Sequence, residues 1–395
     1  ATGQLAGARE VLERLVSVDR LDHWAGWVMV LLGDDRDAFL RVTRNDSQTM
    51  IDLALDFCEA GFFREAADLL ACHLGNAVTQ VAVPNPLERS QSTLYLLGWL
   101  KTQLGDQDAG AVMKSARDQS PDHFFPSRLE EMGVLDWAMR QVGDEDQLAA
   151  YGLGNLLYDK RRHLDAIAAW EVAEESDIPQ VSRNLGIARW NVHRDGDGAR
   201  RSYLQALSLD GGDARLVTEY DQLCEKLGDP LEQRLAFLEA HREAVAERDD
   251  ATVSLARIYN LLGRPADALA LVSSRRFHPW EGGEGKVLGE YTAARLQLGR
   301  EALAAGDADR ALEQFRKAMQ TPESLGEAYH LLQAKADVNY WMGMALRGLG
   351  REEEAVQHFE LSAAECGDFS EMAVAEHSPL SYYRGVSLRE LGRED

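Results

Sequence analysis

With 395 residues, 45% of them hydrophobic and 27% charged, the chain has ample apolar mass for a core and is not a disordered polymer. Its 66 Asp and Glu against 42 Lys and Arg leave a net charge of -24, which repels phosphate backbones and anionic lipid and so argues against nucleic acid or a membrane surface as partner. The same charge also serves simply to keep an elongated surface soluble.

Cys58, Cys72, Cys224 and Cys366 are far apart and form no CxxC, which points to a reducing compartment and hence the cytoplasm. The most apolar run, Trp24 to Leu32, falls well short of the roughly 20 residues that cross a bilayer. No signal-peptide pattern opens the chain, and because the first residue is Ala1 rather than Met, the native polypeptide is expected to begin upstream.

Taken in order, the chain predicts one helix pair after another. It opens on what reads as a second helix, Leu5 to Val16, followed by a pair around Trp24 to Leu40 and another marked by Ala54, Ala66 and Leu70. The rule that emerges is a small residue on the first helix, a turn that is often Leu-Gly, and then a small, a bulky and a small residue at offsets 0, 4 and 7. Those offsets place three side chains on one helical face, and the small ones let neighbouring helices approach closely. Gly98 with Leu104-Gly105, Ala109, Met113 and Ala116 fits with one residue deleted from the turn, and Pro121 closes that unit.

The rule is sharpest in four places. Gly154 to Ala166, Ala256 to Ala268, Gly299 to Ala311 and Gly343 to Ala355 are each 12 residues apart, and Trp170, Phe315 and Phe359 follow as the bulky residue in three of them. Gly186 with Ala199, Tyr203 and Ala206 fits with one residue inserted between Arg194 and Gly198. The chain closes on Tyr382 to Gly392, a first helix without a partner, so both ends are expected to be cut from a longer array.

One pair departs from the rule. Around the turn Leu227-Gly228, with Phe237 and Ala240 in register, Asp221 takes the small-residue position and Gln233 the Ala position. A lone buried carboxylate costs several kcal/mol, so Asp221 needs a partner, and Arg215, Arg234 and Arg248 are within reach; a functional carboxylate is the other reading.

Between Arg275 and 288 the repetition stops altogether. RRFHPWEGGEGKV is a glycine-rich loop carrying His278, Trp280, Glu281, Glu284 and Lys286. Its GGEGK is not a phosphate loop, since Val287 replaces the magnesium-binding Ser or Thr and Trp280 stands where the first Gly belongs. Two carboxylates beside a Trp suit acid-base work on a sugar, or the loop is a contact surface. A third reading is a connector in which Trp280 plugs the core and Glu281 or Glu284 caps the next helix. The ten His show no HExxH or zinc-finger spacing, so no metal and no cofactor is expected, and no nucleophile elbow or dinucleotide fingerprint is present.

This pattern resembles the tetratricopeptide repeat, a helix-turn-helix unit of roughly 34 residues, of which the chain would hold about nine. The resemblance implies an all-α fold, a right-handed superhelical solenoid of antiparallel helix pairs over residues 1–395, truncated at both ends. Several stretches, YGLGNLLYDKRRHLDAIAAWE, RNLGIARWN, ARLVTEYDQL, FHPWEGGEGKV and VNYWMGMALRGLG, are similar to a bacterial family of large proteins. In that family a domain of unknown function, β-rich and sugar-enzyme-like, precedes a tetratricopeptide-type C-terminal half. The chain would correspond to that half, and no site residue carries over.

First helices line the inner wall of such an array. Counting three back, one forward and four forward from each small residue selects Tyr95 and Trp99; Tyr151, Asn155 and Tyr158; Arg183 and Trp190; Arg257 and Asn260; Arg300; Tyr340 and Arg347; and Tyr382 and Arg389. Arg and aromatic residues contribute disproportionately to binding, and Asn pairs with an extended peptide backbone. A peptide with acidic residues or a C-terminal carboxylate would match the arginines. The expected role is a non-catalytic interaction scaffold for a protein or peptide, either separate or the preceding domain of the same polypeptide. The alternative is an accessory part of a carbohydrate-active enzyme, with the 277–286 loop at its active site.

Overall fold

A computed structural model describes residues 5–75, 91–140, 146–370 and 373–393. It divides into two compact units, Ala1–Leu209 and Asp210–Asp395. Each is built mostly from short helices, several of which start on an aspartate or stop at a positive-φ glycine such as Gly105, Gly228 or Gly263.

The first unit contains α1 (Leu5–Val18), α2 (His23–Leu31), α3 (Arg36–Val42), α4 (Ser47–Glu59), α5 (Phe63–Leu74), α6 (Gln91–Leu104), α7 (Ala109–Arg117), α8 (Leu129–Arg140), α9 (Gln147–Asp159), α10 (His163–Val172), α11 (Pro179–Ala188) and α12 (Gly196–Leu209). Aspartates start several of them: Asp22, Asp35, Asp46 and Asp146 each accept a hydrogen bond from a first-turn amide. Such a cap is worth about 1 kcal/mol, so part of the acidic excess is structural.

The second unit contains α13 (Ala214–Leu227), α14 (Leu231–Ala240), α15 (Arg242–Glu247), α16 (Asp249–Leu261), α17 (Pro265–Ser273), α18 (Lys286–Ala304), α19 (Ala308–Ala318), α20 (Ala336–Gly348), α21 (Glu352–Ala364) and α22 (Ser381–Glu390). A small antiparallel hairpin, β1 (Asp368–Ser370) and β2 (Ala373–Ala375), lies between α21 and α22.

Nine consecutive pairs stand among the described residues: α2–α3, α4–α5, α6–α7, α9–α10, α11–α12, α13–α14, α16–α17, α18–α19 and α20–α21. Steric fit explains the small-residue rule. A Cβ on Gly154 would overlap the Trp170 indole, one on Gly299 would overlap the Phe315 ring, and one on Gly343 would stand 2.6 Å from Phe359 Cε1. Each glycine therefore lets the second helix press its bulky residue against the first helix's backbone, and Trp170, Phe315 and Phe359 are all buried there.

Two local readings are corrected. The extra residue of the α11–α12 pair is absorbed in a π-helical turn, Arg189–His193, and not within the connection from Arg194 to Gly198. Widening the last turn to i→i+5 bonds takes up one residue without a loop, and Arg194 then reverses the chain in a left-handed conformation. Helix α8 follows no small-bulky spacing and went unread; it packs against α6 and α9.

Candidate functional site

The second unit holds a groove of about 890 Å³. Helix α18 forms its floor, because Glu290, Ala293, Gln297, Arg300, Glu301 and Ala304 recur at helical spacing on one face. Helix α16 contributes Arg257, Asn260 and Leu261, α20 contributes Trp341, and α22 contributes Tyr383. The Arg300 guanidinium lies over the Trp341 ring, 4.9 Å from its centroid. Asn260 Nδ2 donates to the Glu290 carbonyl at 3.0 Å and to its carboxylate at 2.8 Å. Burial raises the Glu290 pKa, an effect opposed by the Asn260 hydrogen bond and by the charge of Arg257. Arg257 is itself 59% exposed and 3.6 Å from Glu225.

Of the residues selected from sequence, Arg257, Asn260 and Arg300 are brought together here. Tyr340 and Arg347 do not line the groove. Tyr340 packs among Trp341, Phe359 and Tyr383, while Arg347 is bound to Glu390 at 2.5 Å and to Glu352 at 3.2 Å. Tyr382 stands exposed at the edge of Tyr383, and Arg389 is exposed on the same helix. Glu290, Gln297, Trp341 and Tyr383 were missed. For Glu290 and Gln297 the signal was the helical period of α18, which extends well N-terminal of Gly299; Trp341 and Tyr383, on α20 and α22, had none of that kind.

In the first unit several selected aromatics are packing residues. Tyr95 is fully buried and donates to Asp146 Oδ1 at 2.8 Å, and burial, with the Asp146 charge second, drives its pKa sharply up. Tyr151 is also buried. Trp99 is half-buried with its ring edge-on to Phe63, and Tyr158 leans on Trp170 and His163. Asn155 accepts from Asn184 Nδ2 at 2.9 Å, Arg183 donates to Asn184, and Trp190 lies under Arg194.

Asp221 finds the partner that its burial demands. Arg234 donates to both carboxylate oxygens, at 2.8 and 2.9 Å, and Ser254 Oγ of α16 donates to Oδ2 at 2.7 Å. Arg215 pairs instead with Glu219 and Arg248 with Asp250. The expected register of α14 is off by one. Gln233 and Ala240 are exposed and Phe237 is half-buried, whereas Arg234, Leu235 and Leu238 face the core. The ion pair turns the helix so that Arg234 reaches Asp221, and Phe237 packs edge-on to Tyr220 at 4.8 Å.

In the 275–288 loop the core residue is Phe277, buried and stacked by Arg275, and not Trp280. Trp280 is half-buried and folds over Gly283, where a Cβ would overlap its indole. The cap of α18 is Glu327, whose carboxylate accepts from the amides of Gly285 at 2.6 Å and Leu288 at 2.7 Å; neither Glu281 nor Glu284 does this. A distant side chain can cap because the Phe277 amide bonds to the Ser324 carbonyl, tying the loop to the 322–327 turn. His278 is 81% exposed beside Asp249. Glu281 and Glu284 are exposed and, with His278, Trp280 and Glu327, line a pocket of about 360 Å³. Lys286 opens α18 and faces solvent.

Among the described residues no cluster of His, Cys, Asp or Glu could hold a metal ion, and no helix is long and apolar enough to cross a membrane. Residues 336–364, which span α20 and α21, match the tetratricopeptide repeat model. Among solved structures, the chain is similar to MamA at 17% identity and TM-score 0.33, covering 47% of this chain and 91% of that one. It is also similar to a tetratricopeptide repeat protein from Parabacteroides merdae at 16% identity and TM-score 0.30, covering 76% and 98%. A third similarity is to the APC/C hetero-tetramer Cut9-Hcn1, at 13% identity and TM-score 0.31, covering 98% and 88%. The α20–α21 pair is thus a tetratricopeptide repeat, and its small-against-bulky packing recurs at α6–α7, α9–α10, α11–α12 and α18–α19.

Proposed function

We propose that this chain is a non-catalytic interaction scaffold, and that the groove over α18 receives a protein or peptide segment. The observation that carries this reading is the groove itself. Two arginines, two amides, a Trp and a Tyr converge on about 890 Å³ of open space, and this composition is typical of contact surfaces. The partner is either separate or the preceding domain of a longer bacterial polypeptide, and the cysteine spacing favours the cytoplasm.

The test plugs the groove without touching the core. A photo-crosslinker at Gln297, in the full-length source polypeptide, should form adducts in source-cell lysate that vanish when exposed Ala293 is changed to Trp. Adducts that persist in Ala293→Trp, with helicity and melting unchanged, would sink the groove reading.

The loop pocket carries a second reading, because Trp280, Glu281 and Glu284 line one cavity and suit a sugar. In the polypeptide with its preceding domain attached, Glu281→Gln or Glu284→Gln should then cut glycoside turnover by about 100-fold. Unchanged turnover would leave the loop a connector.

A further inference from the structure

The charges along the groove are unevenly satisfied. Arg257 lies 3.6 Å from Glu225, and Arg300 rests on the face of Trp341, so each cation already has a partner within the unit. Glu290 has no ion pair: among the described residues no basic group lies within 4.0 Å of its carboxylate, only the Asn260 amide is hydrogen-bonded to it, and the Arg257 charge acts on it from farther away. That carboxylate is half-buried on the groove floor, where a charge without a counter-ion costs far more than at the surface. Glu301, on the same face of α18, also has no arginine within 4.0 Å among the described residues but is exposed, whereas Glu225, Glu239, Glu352 and Glu390 elsewhere in the unit each have one.

Asn260 does more than share a hydrogen bond. By bonding to the backbone carbonyl and the carboxylate of Glu290 together, its amide fixes the acid in one orientation. One oxygen, Oε2, is occupied and Oε1 remains open to a donor. Tyr383, across the same groove, offers an aromatic ring along which the stem of a long cationic side chain can lie, while the face of Trp341 is taken by Arg300. The net charge of -24 raises the local concentration of a basic partner over an acidic one.

We infer that the groove selects a peptide segment by a Lys or Arg side chain, which enters the groove over α18 and pairs with Glu290. This rests on the groove being a binding site, and it replaces the acidic ligand that its arginines suggested in isolation. Arg300 keeps a secondary role, since a ligand carboxylate next to the basic residue would lie within its reach.

The experiment uses the full chain and a positional library of short peptides blocked at both ends, with binding read by affinity selection and then by fluorescence polarisation. Wild-type protein should enrich Lys and Arg at one position, and the selected peptides should lose at least about 10-fold in affinity for Glu290→Gln. Glu290→Lys should shift the preference at that position to Asp and Glu, which a merely misfolded variant could not do. Selection of peptides that Ala293→Trp no longer binds, but without any basic preference, overturns this inference and leaves the scaffold standing. Selection of nothing that depends on Ala293 removes both.

Discussion

The helices of the two units carry side chains at equivalent places and use them differently. Three residues before the small residue, the first unit places Tyr95 and Tyr151, both buried, and Arg183, half-buried, and the second places Val253, which is buried, and Leu296 and Tyr340, which are half-buried. One residue after it, the first unit has Trp99, Asn155 and Ile187, all half-buried, the first two against Phe63 and Asn184, whereas the second has Arg257 and Arg300, both exposed, and Met344, half-buried. A helix turns 100° per residue, so the position three back falls inside the stripe that packs on the next pair, and the position one forward falls at its margin. Neighbouring helices in the first unit close over that margin, and in the second it stays open above α18.

One helix of the second unit breaks the rule at the small-residue position itself. Gly98, Gly154 and Gly186 fill it in the first unit and Ala256, Gly299 and Gly343 in the second, but α13 fills it with Asp221 and answers with Arg234. Removing one partner is the strongest way to break this contrast. Asp221→Ala would leave a guanidinium that is 6% exposed with only the half-exposed Glu225, at 3.4 Å, as counter-charge, and should destabilise the chain by about 3 kcal/mol in urea unfolding. The double change Asp221→Gly with Arg234→Leu restores the glycine-and-apolar pattern and should lie within about 1 kcal/mol of wild type, or above it. A small effect of Asp221→Ala would mean that the pair is solvated and holds nothing.

Tyr95 offers the next largest effect. Its hydroxyl donates to Asp146, which also caps α9 through the Ala149 amide and is buried with Oδ2 lacking a hydrogen-bond partner. Tyr95→Phe keeps the ring and removes that donor from a buried acid, at a cost of about 1–3 kcal/mol. Peptide binding should not change, because Tyr95 belongs to the core. A stable Tyr95→Phe protein with altered binding would reopen the first unit's aromatic row as a contact face.

Most of the fold was legible because it follows from one steric rule, glycine or alanine opposite a bulky residue at fixed spacing, and sequence records spacing directly. What was lost lay in contacts between residues far apart in the chain. Glu327 caps α18 from across a turn some 40 residues away, and nothing near Gly285 signals it. The one-residue rotation of α14 comes from Arg234 seeking Asp221, a preference of charge over apolar register that spacing alone cannot express. At the groove, outward-pointing arginines were identifiable from helical phase. Their partners were not, and so the unpaired state of Glu290 could be read only from the folded chain.

The smallest expected effect separates the margin of the stripe from its centre. Arg300→Ala removes an exposed side chain whose one described aromatic contact is the face of Trp341, and a surface cation–π pair contributes about 0.5–1 kcal/mol. Stability should therefore fall by no more than that, against the larger loss at Tyr95, although the two residues were selected by the same counting rule. Affinity for a peptide with an acidic residue beside its basic one should drop while the basic preference at Glu290 persists, because the two charges act at separate points of α18. A loss of stability as large as that of Tyr95→Phe would place Arg300 in the packed stripe, and the groove would then be a seam between helices.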